Sequence, residues 1–118
     1  MSKFTPIVLG LRIAYGAALI VAPQRLAGRW LGPGAARAPV QVPLRGLGMR
    51  ELLLHAGALS AALRGNDVRP WLAASIAGDL TDIASTVAGR GELPPGAAPA
   101  TAVVAGGSAL TSAALFKL

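Results

Sequence analysis

WLAASIAGDLTDIASTVA, residues 71–88, is an apolar segment whose polar positions fall into register. Ser75, Asp79, Asp82 and Thr86 are spaced four, three and four apart. At 3.6 residues per turn they form one stripe along a helix, and Ala, Ile, Leu and Val dominate the other faces. A helix of this length, at 1.5 Å rise per residue, crosses most of a hydrocarbon layer about 30 Å thick. A charge at the bilayer centre costs at least roughly 2.5–3.5 kcal/mol on insertion scales. Lipid offers a carboxylate no hydrogen-bond partner, so the stripe has to face the interior of a bundle.

Three more segments have the same character: residues 4–22, 46–63 and 97–115. The chain is 53% hydrophobic before its 15 glycines are counted and only 14% charged, which leaves too little polar surface to cover a soluble fold of 118 residues. The expected fold is all-α: a single domain, residues 1–118, forming a bundle of four transmembrane helices. With 25 Ala and 15 Gly, the helices are suited to close approach in lipid. Gly10, Ala14, Ala17 and Ala18 are expected to provide packing faces on the first helix, and Ala98, Ala102 and Gly106 on the fourth.

Thr5-Pro6 reads as the first helix start, with Thr5 as its cap. The connection from Pro23 to Arg45 carries Pro23, Pro33, Pro39 and Pro43 and cannot be one continuous helix. Within it, residues 24–31 separate Arg25 and Arg29 by one turn, with Leu26, Trp30 and Leu31 for the other side. This is expected to be a short amphipathic segment in the membrane interface between helices 1 and 2, anchored by Trp30. Residues 64–67, Arg-Gly-Asn-Asp, read as a turn with glycine at the helix stop. Arg12 inside the first run, and the lack of a small-x-small pattern before Pro23, argue for a retained span rather than a cleaved leader. Loop arginines and lysines divide almost evenly between the two sides, so orientation is undetermined.

Five ionisable side chains fall within these spans: Arg12, Arg50, Glu51, Asp79 and Asp82. Glu51 and His55 lie one turn apart, and Arg12 shares a face with Tyr15. Two arginines do not cancel three carboxylates. The odd negative charge calls for a proton on an acid, a protonated His55, or Arg45 reaching in, and the Asp79/Asp82 pair is the expected place for a shared proton. We therefore read Asp79, Asp82 and Glu51 as candidate catalytic groups, with Arg12, Tyr15, Arg50, His55, Ser75 and Thr86 as ligand-binding groups.

Other chemistry is poorly represented. There is no Cys and one His, so neither a metal nor a cofactor is expected. The D-x-x-D of Asp79 and Asp82 lacks the second acidic motif of a magnesium–diphosphate site. No glycine-rich phosphate loop follows a strand. The net charge of +6 sits largely at segment edges, where anionic headgroups lie, and does not point to nucleic acid.

The run Arg45-Gly46-Leu47-Gly48-Met49-Arg50-Glu51-Leu52, followed by Trp71-Leu72 and by Asp79 with Asp82, resembles the small four-helix integral membrane proteins of actinobacteria grouped as DUF4267-like. The likeness extends from Ala22-Pro23 and Arg29-Trp30-Leu31-Gly32 to Leu93-Pro94. It implies a four-helix membrane fold and a role for Arg45, Arg50, Glu51, Asp79 and Asp82, and brings no activity with it. The expected location is a bacterial cytoplasmic membrane, with membrane lipid and a lipophilic small molecule as partners and self-association left open. The leading expectation is a buried polar pocket that binds such a molecule and acts on it by acid–base chemistry, as an isomerase, cyclase or epoxide-opening enzyme. A structural or accessory subunit with internally paired charges and a small proton-coupled transporter are the alternatives.

Overall fold

Proline and glycine set the breaks between helices. In the computed structural model, which describes residues 2–117, the order is α1 (Phe4–Val21), α2 (Pro23–Leu31), a 3-10 turn (Gly32–Ala36), α3 (Ala38–Leu63), α4 (Arg69–Ala88), a second 3-10 turn (Arg90–Glu92) and α5 (Ala97–Leu115). The fold is all-α among the described residues, with five helices where four and a short segment were expected.

The helix ends follow local chemistry. α1 begins one residue before Thr5, which is buried inside the first turn and does not cap it; the Phe4 N–H instead donates to the Ser2 hydroxyl at 3.2 Å. Proline opens α2 without loss, because the first N–H groups of a helix have no partner to give up. α3 starts eight residues earlier than the apolar pattern predicts. Pro39 fits its first turn, and Pro43 forfeits only one intrahelical bond on the exposed side. At the other end of α3, Gly65 takes φ +73°, the Asn66 N–H donates to the Ala61 carbonyl at 2.8 Å and the Gly65 N–H to Ala62 at 3.2 Å, which closes the helix. Asp67 then accepts the Arg69 N–H at 3.0 Å and starts α4.

α1 packs on α3 and α4 on α5, and α3 joins the two pairs through α4. The close approach of α1 runs through Gly16 and Gly48, whose backbones touch. Gly10 meets nothing and Ala14 is exposed, so the expected small-residue face lies elsewhere on the helix. α5 likewise buries Ala97, Thr101, Ala105, Ala109 and Ser112, a stripe one residue off the expected Ala98, Ala102 and Gly106. At one end Leu9, Ala58, Leu72 and Leu115, one residue from each long helix, form a buried apolar cluster. At the other end α2 lies against the start of α3, with Ala27, Ala35 and Leu44 buried together and Trp30 packed on them.

α1 and α5 are each long and apolar enough to cross a membrane. α3 and α4 have the length but a lower hydropathy, because their inner faces carry the charged and hydroxyl groups.

Candidate functional site

The site is built in levels along α4. Above the Leu72 cluster, Ser75 is buried and its hydroxyl faces His55 Nε2 at 2.8 Å. His55 Nδ1 lies 2.6 Å from the Glu51 carbonyl oxygen, which can only accept, so the ring proton sits on Nδ1. In the neutral ring Nε2 then accepts the Ser75 proton. His55 and Ser75 thus brace α3 against α4 behind the charged level.

The next level holds Arg12. Its guanidinium donates to Glu51 through Nε at 2.9 Å and Nη2 at 3.1 Å, and to Asp79 through Nη2 at 3.0 Å and Nη1 at 3.4 Å. One arginine of α1 therefore bridges carboxylates of α3 and α4, and the fork geometry of guanidinium suits that task where an ammonium would not. Arg50 donates to Asp82 through Nη2 at 2.7 Å and Nη1 at 3.3 Å, with Glu51 3.5 Å from the same Nη2. Asp79 and Asp82 face different guanidiniums, and no hydrogen bond joins their carboxyl groups among the described residues. A proton held directly between them is thus not the arrangement found. Three residues apart on α4, they meet different neighbours. Arg45 does not reach the charges either: its Nη1 donates to the Ile20 carbonyl at 2.7 Å, at the C-terminal end of α1.

Beside this level lies a cavity of about 420 Å³. Arg12, Tyr15, Glu51, Asp79, Asp82 and Thr86 form its polar wall. Leu26 and Trp30 of α2, Leu47 of α3, and Ala100, Val104 and Ala105 of α5 supply an apolar one, with Ser85, Thr101 and Ser108 between them. The cavity thus brings together six of the nine site residues expected from the sequence and leaves Arg50, His55 and Ser75 off its wall. Arg50 lies against α4 at Gly78, where it orients Asp82.

No protein-family model, curated protein or solved structure matches this chain. Its site has to be read from its own chemistry.

Two wall residues are informative because they are incomplete. Thr101 Oγ1 and Trp30 Nε1 are buried and have no hydrogen-bond partner within the protein. An unpaired buried polar group costs about 1–3 kcal/mol, so such groups are rare unless something else satisfies them. Neither was singled out as a site residue from the sequence. Trp30 read as an interface anchor, Thr101 lies on the helix read for packing through Ala98, Ala102 and Gly106, and only the fold brings α2 and α5 to the same cavity. Among the described residues, no three His, Asp or Glu side chains are placed to hold a metal ion.

Proposed function

We propose that this chain is an integral membrane protein that spans the bilayer with α1, α3, α4 and α5, and that it binds a lipophilic small molecule in the cavity beside Arg12, Asp79 and Asp82. The observation that carries the reading is an inverted distribution of polarity. Glu51 and Asp79 are 3% exposed and His55 is 1% exposed, while Val21 is 79% exposed and Val103 and Leu110 are each 74% exposed. Water favours the opposite arrangement; a hydrocarbon solvent favours this one. The exposed apolar side chains include Met49 and Leu53 on α3 and Leu80 and Val87 on α4, so the two less hydropathic helices also offer lipid an apolar face. α2, with Arg25 and Arg29 exposed, then lies in the interface. Kinship with the small actinobacterial four-helix membrane proteins and a bacterial cytoplasmic location belong to the same proposal.

A cavity with one charged wall and one apolar wall suits an amphiphile of modest size. Acid–base conversion of that molecule falls first to Asp82. Its side chain is 30% exposed on the cavity wall, whereas those of Glu51 and Asp79 are 4% exposed. Pairing of every buried charge would also suit a purely structural bundle, but that reading leaves the cavity and its two unsatisfied groups without a purpose.

The test is native mass spectrometry of the protein extracted in mild detergent, comparing the wild type with Ala100→Phe, which places a ring at the cavity wall from an exposed position. A co-purifying lipophile lost from the variant supports the proposal. A wild type without any bound small molecule, or one retained equally by the variant, counts against it.

A further inference from the structure

We infer that the cavity selects an amphiphile carrying one positive charge, such as a lipophilic amine or quaternary cation; this rests on the lipophile-binding reading above. The charge count of the site gives the first reason. Arg12 and Arg50 face Glu51, Asp79 and Asp82, a formal sum of one negative charge. His55 adds nothing to the sum when its ring is neutral, with Nδ1–H on the Glu51 carbonyl, 3.4 Å from Glu51 Oε2, and Nε2 accepting from the Ser75 hydroxyl. Arg45 is engaged at the end of α1. In a low-dielectric interior an uncompensated charge of this kind is costly; a proton taken up by one acid or a cation beside it removes the cost, and a cationic ligand can do so at Asp82 on the cavity wall.

The second reason is that the guanidinium donors of the site are largely taken up by carboxylates. Nε and both Nη atoms of Arg12 already donate to Glu51 and Asp79, and both Nη atoms of Arg50 donate to Glu51 or Asp82. Arg50 Nε is unpaired but lies with its guanidinium against Gly78, off the cavity wall. The Asp82 side chain, 30% exposed, lies on that wall with both its oxygens accepting from Arg50.

The remaining wall is consistent with the same ligand. Tyr15 and Trp30 both line the cavity, and aromatic faces attract a desolvated cation. Thr101 is 8% exposed and its unpaired hydroxyl is an independent sign of a missing hydrogen-bonding group.

Tetraphenylphosphonium and tetraphenylborate have nearly the same shape and opposite charge, and triphenylphosphine oxide is a neutral relative. Binding of all three is measured by equilibrium dialysis on the protein in nanodiscs of zwitterionic lipid, with binding to empty discs subtracted. The expected result is that the phosphonium binds at least about tenfold more tightly than either of the others. Ala100→Phe should abolish that binding, and Asp82→Asn should reduce the preference by about tenfold. The wild-type comparison alone decides the matter if Asp82→Asn fails to fold. Equal affinities, or preference for the borate or the oxide, would overturn the charge selection and leave lipophile binding standing. If no probe binds above empty discs, or if binding survives Ala100→Phe, both readings fall.

Discussion

Gly16 and Gly48 hold α1 and α3 in backbone contact: a Cβ built on either would stand 2.6 Å from the other's carbonyl oxygen. At Gly16 the same Cβ would also lie 2.7 Å from the Leu52 nitrogen, so neither obstacle is the end of a flexible side chain. In the bilayer placement proposed above, such close approach is a principal source of helix association, because burying apolar surface from lipid gains nothing. It also sets how far Arg12 must reach to Glu51.

Gly16→Ala is therefore expected to cost about 1–3 kcal/mol, the usual range for overpacking, by forcing α1 away from α3. Gly10→Ala, where a Cβ meets nothing within 4 Å, is the matched control and should be neutral or slightly stabilising. Denaturation with sodium dodecyl sulfate from mild detergent reads both. Equal effects of the two substitutions would mean that α1 does not cross α3 at Gly16.

Arg12→Met leaves Glu51 and Asp79 buried with their shared partner gone. Breaking one side of a buried ion pair typically costs about 3–5 kcal/mol, much of it the penalty of the stranded charge. The triple variant Arg12→Met, Glu51→Gln, Asp79→Asn removes that penalty and should recover most of the loss. Recovery to less than half the loss would show that Arg12 does more than bridge these two carboxylates.

Ser75 and His55 form one interhelical unit, so their substitutions should not add. Ser75→Ala and His55→Leu are each expected to cost about 1 kcal/mol, in line with hydrogen bonds between helices in a membrane. The double variant should fall short of the sum by several tenths of that. Strict additivity in a double-mutant cycle would contradict the bond.

Between α3 and α4, Asp67 accepts from the Arg69 guanidinium and, secondarily, from its backbone N–H, which together hold its carboxyl below the ordinary aspartate range. A depressed folded-state pKa contributes stability above the unfolded value of about 4 and loses it as pH falls through the folded one. The pair is fully exposed, so its contribution is small and screened by salt. NMR titration of the Asp67 carboxyl should give a midpoint below about 4 that moves up in Arg69→Ala; a midpoint unaffected by that substitution would exclude the pairing.

The α4 stripe was legible because two constraints coincide there: helical spacing puts Ser75, Asp79, Asp82 and Thr86 on one face, and the cost of exposed charge in an apolar segment turns that face inward. The same cost marked Arg12, Arg50 and Glu51. What escaped the sequence is tertiary. Nothing local to Trp30 or Thr101 says that α2 and α5 close the same cavity. The choice of Gly16 over Gly10 depends on the crossing point of two helices. The early start of α3 was hidden by Pro39 and Pro43, which read as breakers until it is known that one lies in the first turn and the other on an exposed side. The sharing of Arg12 between Glu51 and Asp79 assigns the ion pairs that the sequence could only count, and leaves the excess of one carboxylate in place.

In the proposed membrane placement all four long helices, including the charged α3 and α4, expose their outer faces to lipid. Because the chain has no cysteine, single cysteines at Leu11, Leu53, Leu80 and Leu110, one exposed residue on each long helix, give clean positions for spin labels. In reconstituted bilayers, collision with lipid-soluble oxygen should exceed collision with a water-soluble nickel complex at all four sites. Labels at Leu53 and Leu80 that favour the nickel complex would place α3 and α4 in water and contradict the account.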